Sequence, residues 1–487
     1  MDPVPNIVSC SDNDLKHPIT DTNDNSSFFL QQYNNKCLSV FTYYVESEKE
    51  AMIIDPLRDI QTYIDLLAER KATLKYIFET HFHADFVSGH IDLALKTGAT
   101  IVYGPTAVTK FKSYICKDEE VIKLGKIQIK VLHTPGHTLE SCCFVLVSEE
   151  KPFCVFTGDT LFMGDVGRPD LAVKGEDLKV TDLAAMLYKS IESKIKPLGD
   201  DLWVYPAHGA GSACGKNIGT GVKCQIGTQK KNNYALQPMS EEEFVNKITY
   251  KLPPPPSYFF YDAFLNKEGP ELFEKVFERC NISIKLNDFE KRMGEENTII
   301  IDARDLINIT HGYIPSSLGI TLKCPFSKWV GNLVKPRTNI LIVCENGSEK
   351  EALTQLGRIG YDHVLGYLEG GFDTWKNADK PINKFKCVTP EEMLKIVEDK
   401  EKVVIDVREP FEWDTGVIGN SLKISVQTLE ERYDEVPKDK DVYLYCRTGI
   451  RGVMAATKLQ KHGFSKDIYN ITGGYVKMLE QGHTVNK

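Results

Sequence analysis

The chain has 487 residues, of which 42% are hydrophobic and 26% charged; this composition is typical of globular proteins, and the length suffices for about three domains. The formal net charge of −9 argues against a general nucleic-acid binder, which needs a basic face. The sequence has no run of about 18 apolar residues that could span a membrane, and its 13 irregularly spaced cysteines do not fit a secreted disulfide scaffold.

Residues 1–27 are polar and without periodicity, which predicts a disordered tail. The tail has neither the apolar core of a secretory signal nor the arginines of a mitochondrial transit peptide. We therefore expect a cytoplasmic protein, and a mitochondrial matrix location stays open.

Short apolar runs typical of β-strands alternate with helical and loop segments from Phe28 to about Gln237. The runs are residues 52–55, 76–78, 127–132 and 142–147. Four consecutive prolines at 253–256 cannot form a helix and predict a stiff extended connection. Residues 28–283 are thus predicted to form one domain that ends in a proline-rich segment.

The remaining chain contains an internal repeat. The segment 300–304 (IIDAR) matches 404–408 (VIDVR), and 341–347 matches 443–449, with an offset of 102 to 104 residues. Strand-like runs alternate with helical stretches in both copies, which predicts parallel sheets flanked by helices. We assign the two copies to domains at 284–384 and 385–487.

Imidazole and carboxylate side chains recur in four loops of the first domain, where strand-like runs or turns end. They are His81, His83, Asp85, His137, Asp159 and His208. Such donors, gathered on loops, are what a transition metal requires. The sequence therefore predicts a metal site in this domain.

This series resembles the metallo-β-lactamase superfamily, whose signature is HxHxDH, a later His, a bridging Asp and a final His. The resemblance covers about residues 28–275 and implies an αββα sandwich with the metal site at one end. Phe86 stands where the last His of the first motif belongs, and phenylalanine cannot ligate a metal. A dinuclear zinc thioester hydrolase such as glyoxalase II needs that histidine, so the departure argues against this activity.

Persulfide dioxygenases of the superfamily resemble this chain more closely, also across residues 158–170. The resemblance implies that His81, His137 and Asp159 bind one Fe(II) per chain, as a two-histidine, one-carboxylate set that suits dioxygen chemistry. The resemblance also implies that three neighbouring side chains orient the iron ligands and water. Those neighbours are His83, Asp85 and His208. Arg168 would hold a carboxylate of the substrate or form a structural salt bridge.

Cys214 lies six residues after His208 in a glycine-rich loop, which can pass close to a ligand. We expect Lys216 to lower the pKa of this thiol. Similar loops occur in persulfide dioxygenases fused to rhodanese domains. Cys214 would then carry a persulfide or capture released sulfur; the alternative is an ordinary loop cysteine.

The second repeat carries Cys446 between a strand at 442–445 and a helix predicted to begin near Val453. Backbone N–H groups, the helix N-terminus, Arg447 and Arg451 would favour a thiolate and bind anions. The loop resembles the rhodanese active site. A cysteine phosphatase would place the second arginine one residue later, so sulfur transfer is favoured.

The first repeat aligns Cys344 with Cys446, but Glu345 and Glu349 replace the two arginines. Negative charge disfavours a thiolate and repels sulfite. We therefore expect 284–384 to be a degenerate rhodanese domain and 385–487 to be the active one.

The domain order resembles that of persulfide dioxygenase–rhodanese fusions. This resemblance implies oxidation of a small thiol persulfide, of glutathione or coenzyme A, by O2 to sulfite. Cys446 would then transfer sulfane sulfur to sulfite and release thiosulfate. It is also compatible with a homo-oligomer.

Two other functions stay open. One is a zinc thioester hydrolase with rhodanese appendages. The other is a sulfur carrier or sensor that uses Cys214, Cys344 and Cys446 as relay thiols.

Overall fold

The computed structural model describes residues 27–171, 178–399, 401–483 and 485–486. The predicted disordered tail lies outside the described residues, except for Ser27. The chain divides into two compact units, one built mainly from residues up to Phe277 and the other mainly from residues after Glu278.

The first unit contains two six-stranded sheets. The first sheet consists of β1 (Phe29–Asn35), β2 (Val40–Ser47), β3 (Glu50–Ile54), β4 (Thr73–Glu79), β5 (Thr100–Tyr103) and β6 (Tyr114–Ile115). The second consists of β7 (Val121–Leu124), β8 (Ile127–His133), β9 (Cys142–Ser148), β10 (Lys151–Gly158), β11 (Trp203–Pro206) and β12 (Cys224–Gln225). Strands follow sequence order in both sheets. The pairs from β3 to β6 and the pair β10–β11 are parallel.

A shared apolar core packs the two sheets together. Phe78 of β4 contacts Phe144 of β9 at 4.8 Å between ring centroids, and Tyr43 of β2 contacts Phe156 of β10 at 4.9 Å. Alternate residues of each strand face outward, where two further clusters bury one face of the flanking helices.

Seven α-helices of the described residues belong to this part of the chain, and the last of them ends in the second unit. They are α1 (Gln61–Arg70), α2 (His90–Thr97), α3 (Val180–Ser190), α4 (Ile226–Asn232), α5 (Glu241–Thr249), α6 (Phe259–Glu268) and α7 (Phe273–Cys280). The α1 and α2 side chains pack on the first sheet, and those of α3 and α5 pack on the second. The predicted αββα sandwich is confirmed.

The second unit contains two five-stranded parallel sheets, one from each repeat. Its strands are β13 (Ser283–Ile284), β14 (Thr298–Asp302), β15 (Leu318–Gly319), β16 (Asn339–Val343), β17 (Val364–Leu368), β18 (Lys386–Val388), β19 (Val403–Asp406), β20 (Val417–Ile418), β21 (Leu422–Lys423), β22 (Val442–Tyr445), β23 (Ile468–Ile471) and β24 (Val485–Asn486). The sheet orders are β13-β17-β16-β14-β15 and β18-β23-β22-β19-β21, and β20 pairs with β24 separately. The shared order confirms the predicted parallel α/β architecture of the repeat.

The helices of this unit connect the parallel strands. They are α8 (Leu286–Met293), α9 (Leu306–His311), α10 (Phe326–Leu333), α11 (Glu349–Gly357), α12 (Gly371–Asn377), α13 (Pro390–Glu398), α14 (Pro410–Trp413), α15 (Ile450–Lys461) and α16 (Gly474–Glu480). The helix predicted near Val453 begins three residues earlier, at Ile450. Gly449 has a φ of 97°, a left-handed conformation that glycine adopts easily, and it turns the chain into α15 sooner.

The described part of the chain lacks both a membrane-spanning helix and a disulfide bond. It has no helix of the length and apolar character that crossing a membrane requires. None of its cysteines forms a disulfide.

The four prolines at 253–256 lie in a segment without regular secondary structure, as predicted.

Candidate active sites

The predicted metal-binding side chains lie in loops that follow four strands of the sandwich. His81, His83 and Asp85 follow β4, His137 follows β8, Asp159 follows β10 and His208 follows β11. The strand ends from both sheets meet here, so residues up to 127 positions apart in sequence share one site. All six side chains are buried.

His81, His137 and Asp159 form a compact triad. Asp159 Oδ2 lies 3.3 Å from His137 Nε2 and 3.7 Å from His81 Nε2, and one donor atom of each residue lies within 4.8 Å of the others. Among the described residues, His81 Nε2 and Asp159 Oδ2 have no hydrogen-bond partner. Buried polar atoms are nearly always satisfied, so these donors fit a metal ion between them.

The opposite side of each triad imidazole is fixed by a hydrogen bond. His81 Nδ1–H donates to Thr80 Oγ1 at 3.0 Å, and His137 Nδ1–H donates to the Arg168 carbonyl oxygen at 2.9 Å. Gly167 permits this approach, because a Cβ there would lie 2.8 Å from His137 Nδ1. Both Nε2 atoms therefore present lone pairs, the arrangement found around metal-binding histidines.

His208 links Asp159 to Asp85. Its Nδ1–H donates to Asp159 Oδ1 at 2.6 Å and its Nε2–H to Asp85 Oδ2 at 2.8 Å. Burial opposes protonation of His208, but the two carboxylates raise its pKa well above the usual value. Burial likewise opposes ionisation of Asp159, yet His208 and His81 hold its pKa well below the usual value. Asp159 is thus an oriented carboxylate with Oδ2 facing the triad.

His83 packs its ring against His81 of the triad, at 4.2 Å between centroids, while its Nε2 faces two carboxylates outside the triad. Its Nε2 lies 3.0 Å from Asp55 Oδ1 and 3.6 Å from Glu79 Oε2, and its ring stacks on Phe86 at 4.3 Å between centroids. Thr80 also donates to Asp55, through its N–H at 2.8 Å and its hydroxyl at 2.9 Å. The sequence analysis missed Asp55, because this residue lies at the end of β3 and only the pairing of β3 with β4 brings it here.

Arg168 forms a salt bridge with Asp170, which is one of the two roles that the sequence leaves open. Its guanidinium donates to both oxygens of Asp170, at 2.7 and 2.6 Å, and to the carbonyl oxygens of Ala213 and Pro253. The side chain is almost fully buried. All three guanidinium nitrogens already donate to oxygens of the protein, which favours the structural role.

Cys214 approaches the metal-binding residues, but Lys216 does not act on it as predicted. Sγ lies within 4.8 Å of donor atoms of Asp85 and His208. The Lys216 ammonium instead donates to the carbonyl oxygen of Tyr250. Burial, and then the charges of Asp85 and Asp159, raise the pKa of the Cys214 thiol well above its usual value. The expected basic surroundings are therefore acidic.

The second site is the loop between β22 and α15. Cys446 is buried, and the Gly449 N–H donates to its Sγ at 3.1 Å. Arg447 is exposed. Arg451 is buried and donates to both oxygens of Glu412, from Nη2 at 2.9 Å and from Nη1 at closer range. The loop therefore brings Cys446, a backbone amide and Arg451 together, and Arg447 follows Cys446 directly in the chain.

Glu412 is a partner of this loop that the sequence analysis missed. It ends the segment Glu409-Pro-Phe-Glu412, which forms a capping box at α14. A glutamate three residues after a capping residue is a recognisable helix-start signal, but it does not reveal a partner 39 residues away. Burial of Arg451 opposes its charge, and Glu412 and Cys446 raise its pKa.

The equivalent loop of the first repeat disfavours a thiolate at Cys344. The Gly347 N–H donates to Glu349 Oε2 at 2.9 Å, whereas Gly449 of the second repeat donates to sulfur. Burial, and then the charges of Glu349, Asp302 and Glu345, raise the pKa of Cys344 to about 12. The Gly347 amide of the first repeat therefore binds the Glu349 carboxylate, whereas the equivalent Gly449 amide of the second repeat binds the Cys446 sulfur.

Comparison with known proteins agrees with this architecture. Residues 35–212 match the metallo-beta-lactamase superfamily. A crystal structure of a metallo-beta-lactamase from Staphylococcus aureus subsp. aureus COL is 31% identical and covers 71% of this chain and 99% of its own, with a TM-score of 0.63. The chain belongs to the metallo-beta-lactamase superfamily. Residues 285–378 and 389–481 match the rhodanese-like domain, so this member also carries two such domains.

Two further similarities cover the first domain. A probable hydroxyacylglutathione hydrolase, glo2 of Schizosaccharomyces pombe, is 34% identical over 34% of this chain and 60% of its own length. The chain thus spans about 60% of this curated relative. A structure of ETHE1 from Myxococcus xanthus is 26% identical and covers 49% of this chain and 98% of its own, with a TM-score of 0.43.

Proposed function

We propose that this protein oxidises a small thiol persulfide to sulfite with O2 at a mononuclear iron, and that Cys446 transfers sulfane sulfur to sulfite to give thiosulfate. The observation that carries the first half is the triad of His81, His137 and Asp159, with the buried donors His81 Nε2 and Asp159 Oδ2 left without partners. A two-histidine, one-carboxylate set with open positions is typical of non-haem Fe(II) sites that react with O2.

The iron, when bound, supplies the activation of O2 and of the persulfide sulfur. The protein supplies orientation and charge. Thr80 and the Arg168 carbonyl hold the two imidazoles, and the His208 imidazolium holds Asp159 with one oxygen directed into the site. Overall, one persulfide, one O2 and one water give one thiol and one sulfite with its protons, which balances every atom.

The second half is thiol–persulfide exchange at Cys446. The thiolate attacks the outer sulfur of a persulfide, and the parent thiol leaves. Sulfite then attacks that outer sulfur, thiosulfate forms, and the Cys446 thiolate is released. The Gly449 N–H and the N-terminus of α15 stabilise the anionic sulfur, and the exposed Arg447 attracts sulfite.

Glutathione is the favoured thiol. Relatives of the first domain are named as hydroxyacylglutathione hydrolases, from Schizosaccharomyces pombe and from Francisella tularensis subsp. novicida. A shared glutathione-binding surface would let the same fold present a glutathione persulfide instead of a thioester.

Those names also favour a second function, zinc-dependent hydrolysis of a hydroxyacyl-glutathione thioester. Two features oppose it. Phe86 is fully buried and supplies no ligand for a second metal. The neighbouring Asp85 is bound to His208. We therefore rank the dioxygenase first.

The test compares both substrates on the same protein loaded with iron or with zinc. The dioxygenase predicts oxygen uptake with glutathione persulfide on the iron form and no thioester cleavage on either form. The variant His137→Ala should lose the uptake. Thioester cleavage on the zinc form, without oxygen uptake on the iron form, would overturn the proposal in favour of the hydrolase.

A further inference from the structure

A second cluster of buried polar groups lies beside the triad and is not used by the proposed reaction. The relevant atoms have no hydrogen-bond partner among the described residues. They are Glu79 Oε2, both ring nitrogens of His83, both ring nitrogens of His90 and the Tyr103 hydroxyl. All four side chains are fully buried. Because unpaired buried polar atoms are costly, this cluster requires a polar occupant.

Three of the side chains around this place form a chelating set. His83 Nε2 lies 3.0 Å from Asp55 Oδ1 and 3.6 Å from Glu79 Oε2. One donor atom from each of the three residues lies within 4.8 Å of the other two. We call these residues the Asp55–Glu79–His83 cluster. His90 Nδ1 lies 3.7 Å from Glu79 Oε1, on its border.

The hydrogen bonds within the cluster leave some of its buried polar atoms without a partner among the described residues. Thr80 donates to both oxygens of Asp55, and Ser88 donates to Glu79 Oε1 at 2.5 Å. An ion pair between His83 and Asp55 would still leave Glu79 Oε2 bare.

We propose that Asp55, Glu79 and His83 hold a divalent transition-metal ion, separate from the ion of the catalytic triad. Two carboxylates and one imidazole suit Zn²⁺, Mn²⁺ or Fe²⁺. The site joins the end of β3, the end of β4 and the loop that carries His81. A bound ion would therefore fix this loop and hold His83 Nε2 toward Asp55 and Glu79, with the His83 ring against His81.

Zinc binding to the purified chain tests the site without any activity measurement. Metal-free protein is saturated with Zn²⁺, freed of excess ion and analysed for zinc per chain. We expect two ions in the wild type, one in Glu79→Gln, one in His137→Ala and none in the double variant. Cys214→Ser is the matched control and should keep two.

The counts separate this site from the alternatives. One zinc in the wild type, or two in Glu79→Gln, would overturn the proposal. A loss in Cys214→Ser would place the second ion with Asp85 and His208 instead. Because oxygen uptake does not enter the measurement, failure of the dioxygenase proposal leaves the result interpretable.

A crystal of the zinc-loaded wild type covers the case in which Glu79→Gln does not fold. Diffraction on both sides of the zinc absorption edge should give an anomalous peak between Glu79 Oε2 and His83 Nε2. A peak of ordinary density there without anomalous signal would mean that a water molecule fills the cluster, and the proposal would fall.

Discussion

His208 shows how single residues set the chemistry of the first site. Its two hydrogen bonds, to Asp159 and to Asp85, hold the only triad carboxylate in place. Because groups that orient metal ligands typically contribute 10–100-fold to metal affinity, His208→Ala should weaken iron binding by about that factor. Iron titration of the metal-free protein measures the change.

His83→Ala is the comparison for this prediction. His83 shares a motif with His81, but its Nε2 faces Asp55 and Glu79, so its loss should weaken iron binding less than the loss of His208. An equal or larger loss would mean that His83 contributes directly to the triad.

Cys344 gives a prediction of pH dependence. Its thiol has a pKa of about 12, so the neutral thiol is present at all lower pH values and the thiolate appears only as the pH rises. At pH 8, on the order of 1 thiol in 10,000 is ionised, and alkylation, which needs the thiolate, should be slow. The rate should rise about tenfold per pH unit toward the pKa, as measured by mass spectrometry of the peptide.

Glu349→Gln tests whether charge keeps the Cys344 thiol neutral. It removes the carboxylate whose charge has the largest effect on the pKa of the Cys344 thiol, so alkylation at pH 8 should accelerate. Fast alkylation of the wild type at pH 8 would contradict the degenerate assignment of the first repeat.

The sequence allows the triad to be predicted but not its surroundings. His81, His137 and Asp159 each follow a strand-like run, and the family resemblance gives their order. Asp55 lies 26 residues before His81, and its contact depends on the pairing of β3 and β4. Lys216 is near Cys214 in sequence, yet its side chain turns toward Tyr250. Side-chain direction in a loop has no periodicity from which to predict it.

At the scale of elements, the loops around the first site are held by buried polar side chains. Arg168 connects Asp170 with the carbonyl groups of Ala213 and Pro253, and thereby braces the loop that carries Cys214. Arg168→Leu leaves Asp170 without its partner. Breaking a fully buried ion pair on one side costs about 3–5 kcal/mol. Because the Asp170 side chain is 15% exposed, we expect a loss at or below the lower end of this range in the free energy of unfolding.

Urea unfolding of the variant measures that loss, and Arg168→Lys provides the control. Lysine retains the charge but not the planar fork, so it should recover only part of the stability. Unchanged unfolding together with a raised KM for persulfide would instead indicate that Arg168 binds substrate.

The boundary of α15 shows what pattern reasoning misses at this scale. The strand at 442–445 was predicted with its correct limits, but the helix begins at Ile450 rather than near Val453. The apolar periodicity becomes visible only after Gly452, and the turn at Gly449 depends on a positive φ. Contacts from the first repeat, such as the Gly319 N–H to Thr457 Oγ1 at 3.1 Å, are also invisible in sequence.

At the scale of the whole molecule, the proposed function divides between two sites in separate units of the chain. Cys446→Ser should abolish transfer of sulfane sulfur to sulfite and leave persulfide-dependent oxygen uptake intact, because the triad lies in the other unit. Cys344→Ser should leave both activities intact. Thiosulfate formation and oxygen uptake are measured in parallel. Loss of both in Cys446→Ser would contradict the division.

The domain order was predictable because each part carries its own local signal. The repeat is visible at a fixed offset of 102 to 104 residues, and the histidine motifs mark the sandwich. The metal and the substrate have no such signal, because one donor set accepts several ions and surface loops select the thiol.

The most direct measurement of the central claim is oxygen consumption by the iron-loaded wild-type protein after addition of glutathione persulfide. The account predicts uptake of one O2 per persulfide oxidised, with sulfite or thiosulfate as the product and no uptake by His137→Ala. No oxygen uptake, with iron demonstrated in the triad, would contradict it.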